Sequence, residues 1–228
     1  MKITYIGHSG FSVEYDNVVF IFDYYRGKLP AFDRKKKIYV FVSHAHFDHF
    51  TKEIFTWSRI YPDITYILSA DVPAAGCEGK ILSMDENEKR NVEGVCIRTL
   101  HSTDEGVAFF VSAGGRTIYH AGDLNWWHWE EESADYNLAM EKDYKREIEK
   151  MKGQKVDVAF VPVDPRLADA FYYGIDWFMR QTDTQHVFPM HMQEDYEVYG
   201  KLIRLPETEG YRDKIVHIDR PSQTFELE

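Results

Sequence analysis

Residues 43–50 read SHAHFDHF, and four of them carry metal-binding atoms: His44, His46, Asp48 and His49. Imidazole nitrogen together with carboxylate oxygen suits zinc, iron or manganese. The spacing has a mechanical meaning. In extended backbone His44 and His46 sit two apart, so both rings turn to one side. Asp48 and His49 follow where the chain turns, and can reach a second ion beside the first. A merely polar loop has no reason to hold three histidines and an aspartate within six positions.

A second stretch, YHAGDLNWWHW over 119–129, sets two histidines around a Gly-Asp and three tryptophans within four positions. Asp123 is its carboxylate ligand candidate, and Gly122 lets backbone approach an ion closely. Asn125 either hydrogen-bonds beside the site or shapes the turn. His120 lies three residues before Asp123, and strand alternation points it to the other side. That gives His120 a supporting or core role. Trp126, Trp127 and Trp129 either wall a substrate pocket or anchor the start of the following helix. His128 reads as packing with a pocket role as the alternative, and His186 and His217 read as structural.

The His-x-His-x-Asp-His pattern after an apolar strand resembles the signature of the metallo-β-lactamase fold superfamily. The likeness runs along most of the chain. Asp23, closing VVFIFD, resembles the early aspartate that supports the metal loop. His101 in TLHSTDEG resembles the next ligand, Asp123 in YHAGD the bridging aspartate, and His191 in FPMHM the last ligand. The GHSGF start and the PMH near the end most resemble a branch of metal-dependent hydrolases that includes ascorbate-phosphate lactonase. The resemblance implies an α/β chain folded as a four-layer αβ/βα sandwich, with a two-metal site at the sheet rim. It implies one ion on His44, His46 and His101, a second on Asp48, His49 and His191, and Asp123 bridging them. Zinc is the leading choice for the two divalent ions, with manganese or iron compatible. His8, in the turn GHSG, has two readings: a substrate or supporting role near the ions, or plain turn geometry.

Two divalent ions about 3.5–4 Å apart lower the pKa of a shared water to near neutral, so no serine or cysteine nucleophile is required. The expected activity is hydrolysis of a small ester, lactone or phosphoester by a hydroxide bridging the metals. Asp48 is the catalytic candidate, holding or accepting the nucleophile's proton. Two dications, two carboxylates and a hydroxide leave the centre at about +1, which favours a small anionic substrate. Arg116, Lys152, Arg166 and Arg180 are possible anion anchors, with surface charge as the alternative for each. The competing functions are a phosphodiesterase or nuclease of the same fold, and a non-catalytic or iron-dependent redox relative.

The elements that must position these residues are legible as apolar patterns. Lys2–Ile6, Phe11–Tyr15 and Val18–Asp23 read as strands, and IYVFV (38–42) as a strand buried on both faces. Thr51–Ile60 reads as a helix and Ile64–Leu68 as a strand. Val95–Leu100, Val107–Ser112 and Arg116–His120 follow as strands, the last two joined by Gly114-Gly115. His101 leaves a strand end, where Thr103 or Asp104 could orient its ring. Glu130–Lys152 reads as one exposed helix, Val156–Val161 as a buried strand and Phe171–Arg180 as a helix. His186–Pro189, Ile215–Ile218 and Thr224–Leu227 close the chain as strands. No linker or repeat interrupts residues 1–228, so one domain is expected.

The chain is 44% hydrophobic with a formal net charge of -11. That balance supports a large core and argues against a nucleic-acid partner or an anionic membrane surface. No run reaches the roughly 18 apolar residues a membrane span needs, and the first residues lack a signal peptide's centre. The two cysteines, Cys77 and Cys96, form no CxxC pair, and a cytoplasmic location is expected. Oligomerisation is left open.

Overall fold

Alternating apolar residues build the first three strands, β1 (Lys2–Gly7), β2 (Gly10–Tyr15) and β3 (Val18–Phe22), which pair antiparallel in sequence order. The chain then switches to parallel pairing through β4 (Lys37–Val42), β5 (Ile64–Ser69) and β6 (Lys80–Met84). β4 has parallel neighbours on both sides, which explains its unbroken apolar run. Ile38, Val40 and Val42 join a core cluster with Ile54 and Trp57. On the alternate positions Tyr39 and Phe41 stack on Phe20 and Phe22 at 5.6 and 4.8 Å between ring centres. Both faces of this strand are therefore filled by side chains.

The computed structural model describes Met1–Glu228. These residues form two units, Met1–Asp85 with Arg220–Glu228, and Glu86–Asp219. The first holds a seven-stranded mixed sheet, whose outer strand beside β1 comes from the far end of the chain. The second holds six strands. β7 (Lys89–Val92), β8 (Val95–His101), β9 (Val107–Ala113) and β10 (Arg116–His120) are antiparallel neighbours, and β11 (Lys155–Pro162) and β12 (Asp183–Met190) continue parallel to β10. The strand at the far end of the chain is β13 (Thr224–Glu226), antiparallel to β1. The α/β class expected from the sequence is the one observed.

Strand direction explains where the candidate ligands gather. β1 and β3 are both antiparallel to β2, so they run the same way as β4, β5 and β6. By the same logic β8 and β10 run with β11 and β12. His8, Asp23 and residues 44–49 follow the carboxyl ends of β1, β3 and β4, on one edge of the first sheet. His101, Asp123 and His191 end or follow β8, β10 and β12, on one edge of the second. Carboxyl ends of parallel strands are the usual place for a ligand in α/β sheets.

Several elements differ from the sequence pattern. The helix expected at Thr51–Ile60 is a 3-10 helix, Lys52–Arg59, whose first turn is capped by the Thr51 hydroxyl. The long helix is shorter: α1 spans Ala134–Glu149, because the Ser133 side chain accepts from the Tyr136 N–H and sets the start there. α2 spans Tyr173–Gln181 and α3 Val198–Leu202. Ile215–Ile218 is not a strand; Ile215 makes a single parallel bridge to Val187 of β12, and the Val216 N–H donates to the Val187 carbonyl at 2.8 Å. β6 and β7 escape the pattern altogether. They are edge strands with mostly exposed side chains, made by backbone pairing on one side only.

Candidate metal centre

In the first unit Asp23 is the hub. It is fully buried, and its carboxylate accepts from the Ser43 N–H (2.8 Å) and the Ser43 hydroxyl (2.6 Å). His49 Nδ1 lies 2.8 Å from Oδ2, the same oxygen that the Ser43 hydroxyl bonds. The Ser43 hydroxyl also touches His44 Nδ1 at 2.9 Å. The Ala45 N–H donates to Asp71 at 2.7 Å, which holds the loop backbone. With Nδ1 occupied on His44 and His49, the Nε2 atom of each ring is directed to the opposite side. There His44 Nε2 lies 3.0 Å from His46 Nδ1. Asp48 is half-buried. Burial pushes its carboxyl up, but the neighbouring His8 and His49 more than reverse that and hold it well below the usual carboxylate range. Between His46 and Asp48, Phe47 is 84% exposed.

The second unit repeats the scheme. Asp164, fully buried after β11, accepts from the Arg166 guanidinium and backbone N–H and lies 2.8 Å from His191 Nδ1. Burial raises the Asp164 carboxyl, yet His191 and Arg166 outweigh it and bring it down to about 2. His191 Nε2 then faces Asp123 Oδ1 at 3.6 Å. Asp123 sits in the turn after β10, where Gly122 has φ 53° and donates its N–H to His120 Nδ1 at 3.1 Å. His120 is thus buried and holds the turn in place. His101 is set apart: its Nδ1 lies 2.6 Å from Glu86 Oε2, and both side chains are half-exposed. Thr103, expected beside His101, instead donates its hydroxyl to the Asn125 carbonyl (2.6 Å) and accepts from the Asn125 N–H (3.0 Å). Glu86 and Asp164 were not singled out by the sequence pattern.

The contacts fall into two classes of length. Contacts of His49, His101 and His191 with supporting carboxylates, all through Nδ1, are 2.6–2.8 Å. Those are charge-assisted hydrogen-bond lengths. On the opposite side, His44–His46 and His191–Asp123 are 3.0 and 3.6 Å. Two atoms each about 2.1 Å from one ion lie about 3.0 Å apart at a right angle and about 3.4 Å apart at the tetrahedral angle. The longer class therefore has the length of an edge between two ligands of one ion. Rings fixed by a carboxylate at one nitrogen, with the other turned to a neighbouring donor, fit a divalent cation.

A profile of the beta-lactamase superfamily domain matches residues 2–191. The chain belongs to this superfamily. A UPF0173 metal-dependent hydrolase of Nanoarchaeum equitans is 29% identical over 207 residues, covering 84% of this chain and 83% of that protein. Among solved structures, Igni18, a metallo hydrolase of Ignicoccus hospitalis, superposes with a TM-score of 0.67 at 20% identity, covering 100% and 99% of the two chains. YhfI of Bacillus subtilis, a metallo-β-lactamase fold protein, gives 0.65 at 14% identity, covering 99% of each. The metallo-β-lactamase fold expected from the sequence is therefore shown.

In this superfamily member the tryptophans divide their work. Trp127 is buried; its Nε1 donates to the Asp123 carbonyl (2.9 Å) and its ring edges His191 at 5.5 Å. It props two candidate ligands from beneath. Trp126 is half-buried and holds Lys145 of α1 over its ring at 4.4 Å. The Trp129 backbone is clasped by the Asn137 amide through two hydrogen bonds, 2.8 and 3.0 Å. Trp126 and Trp129 therefore fasten α1. Asn125 is buried, and neither atom of its side-chain amide has a hydrogen-bond partner. The four basic residues considered as anion anchors each pair with a carboxylate: Arg116 with Asp157, Lys152 with Glu149, Arg166 with Asp164 and Arg180 with Asp176.

Proposed function

We propose that this chain is a metal-dependent hydrolase that uses two divalent ions on a small anionic ester, lactone or phosphoester. The two ligand sets would form one centre: His44, His46 and His101 on one ion, Asp48, His49 and His191 on the other, and Asp123 shared. The observation that carries the reading is the separation of short Nδ1 supports from ligand-edge distances in both units. When bound, the ions would supply Lewis-acid polarisation and an activated water. The chain's own residues do the rest. Asp23, Asp164 and Glu86 fix which imidazole nitrogen faces inward. Asp48, an ionised carboxylate beside a dication, accepts a hydrogen bond from the attacking water and aims it; a carboxylate so placed is a poor place to keep the proton. Phe47 presents an apolar face beside the ligands for the substrate's uncharged part. Zinc is the proposed metal, with manganese or iron compatible with the same donors, and the cytoplasm the proposed location.

The test is metal analysis joined to a hydrolysis screen over lactones, phosphomonoesters, phosphodiesters and thioesters. Wild type should hold two equivalents of metal and hydrolyse at least one class. Asp123→Asn should lose at least 100-fold in kcat/KM with its circular dichroism unchanged. Fewer than two equivalents after repletion, or no hydrolysis with zinc, manganese or iron loaded, would falsify the reading.

A further inference from the structure

His8 lies outside the seven ligands proposed above, yet its geometry places it with them. Its Nε2 is 3.4 Å from Asp48 Oδ2. That distance belongs to the ligand-edge class and matches the tetrahedral edge of about 3.4 Å. It is not the 2.6–2.8 Å at which supporting carboxylates meet His49, His101 and His191. One donor atom from each of His8, Asp48 and His49 can be chosen so that all lie within 4.8 Å of one another. The His8 side chain is only 8% exposed, and its ring meets the His49 ring edge-on at 5.4 Å. The backbone aims it there: His8 has φ 52°, directly after Gly7 at φ 155°, at the carboxyl end of β1. Few residues accept a left-handed conformation, and histidine is one of those enriched in it.

We infer that His8 is an additional protein ligand, through Nε2, of the divalent cation held by Asp48 and His49. The inference rests on the two-ion reading and deepens it. It raises the protein donors on that ion by one and reduces the positions open to substrate or water. In the first unit one ion then has two imidazoles and a carboxylate, while His44 and His46 offer two imidazoles to the other. The two ions differ in charge and openness, and the ion on His8, Asp48 and His49 has the larger set of protein donors.

The opposing role is a hydrogen-bond donor that merely steadies Asp48, and two substitutions separate them. Asn and Asp both tolerate left-handed backbone. His8→Asn keeps an N–H donor toward Asp48 but supplies no strong ligand; His8→Asp supplies a ligand but repels Asp48. Zinc is titrated into the full-length apoprotein against a competing chelator, and cobalt(II) spectra are recorded for each equivalent. A ligand role predicts that His8→Asn weakens one of the two equivalents at least about 100-fold and shifts its cobalt spectrum, whereas His8→Asp stays within about tenfold of wild type. The reverse order, or two equivalents bound unchanged by His8→Asn, overturns the inference alone. A wild type that never takes up a second equivalent overturns the two-ion reading with it. A measurement without any variant guards against misfolding: cadmium-113 bound to protein labelled with nitrogen-15 histidine should show scalar coupling to His8 Nε2. Coupling to His49 without coupling to His8 overturns the inference.

Discussion

Asp23 gathers the Ser43 N–H, the Ser43 hydroxyl and the His49 ring on one buried carboxylate. An amide in its place has a single acceptor oxygen, so Asp23→Asn must give up either the loop backbone or the His49 tautomer. Supporting partners of this kind are worth about 10–100-fold in metal affinity, and an imperfectly paired buried group costs about 1–3 kcal/mol. Both losses are expected for Asp23→Asn, read by zinc titration and by denaturant unfolding of the apoprotein; unchanged affinity would show that Asp23 supports only the fold. Asp23 was legible because, closing the apolar run VVFIFD, it resembles the early aspartate of the superfamily. Asp164 ends AFVPVD in the same way as Asp23 ends VVFIFD and stands 27 residues before His191 as Asp23 stands 26 before His49, but a lone histidine follows it rather than a cluster of ligands. Glu86 sits in a charged turn with no pattern of its own. A ligand is marked by its residue type and its spacing to other ligands, whereas a supporting carboxylate is chosen by what lies beside it in space.

α2 is placed by a glycine rather than by a cap. The Tyr172 preceding it makes no side-chain capping bond. Gly174 in its first turn gives its carbonyl to the Tyr144 hydroxyl at 2.7 Å. A Cβ built on Gly174 would stand 1.9 Å from Asn125 Oδ1 and 3.1 Å from its Cγ. In an open helix Gly→Ala stabilises by about 1 kcal/mol. Here the clash decides the sign, because overpacking of this kind costs about 1–3 kcal/mol. Gly174→Ala should therefore lower the melting temperature, and Gly174→Ala with Asn125→Ala should recover most of it. A single variant as stable as wild type would show that the Asn125 amide moves aside freely. At this scale the sequence exposed central strands and hid edges. β4 needs apolar residues on both faces, while β6 and β7 need only backbone partners, and α1 starts where Ser133 caps it rather than where charge begins.

Each unit keeps phenols inside its sheet. Burial first, and the Asp63 carboxylate second, push the Tyr39 hydroxyl up to about 12. Burial likewise raises Tyr66 in the first unit and Tyr119 and Tyr144 in the second. An unfolded tyrosine releases its proton near pH 10, so above that pH the unfolded chain binds fewer protons than the folded one and stability falls as pH rises. The Tyr39 contribution should be whole below about pH 10 and lost as the pH climbs toward about 12. Phenolate absorbance should therefore rise in two steps, exposed tyrosines first and the buried set together with loss of circular dichroism; a single smooth titration preceding unfolding would contradict it. Superfamily membership was legible in the ligand motifs because their order survives along the chain. The division into units was not, because the first unit closes with Arg220–Glu228, far from the rest of it in sequence. There Met1 and Leu227 exchange backbone hydrogen bonds, and Thr224–Glu226 pairs with Lys2–Thr4. Translation proceeds from the other end. β1 leaves the ribosome well before β13, so one edge of the first sheet stays open while the residues between them are made. An open edge of backbone donors and acceptors pairs with whatever strand it meets. A ribosome stalled short of residue 220 would thus release a chain with its metal loop complete and its β1 edge uncovered, a candidate for chaperones rather than for catalysis.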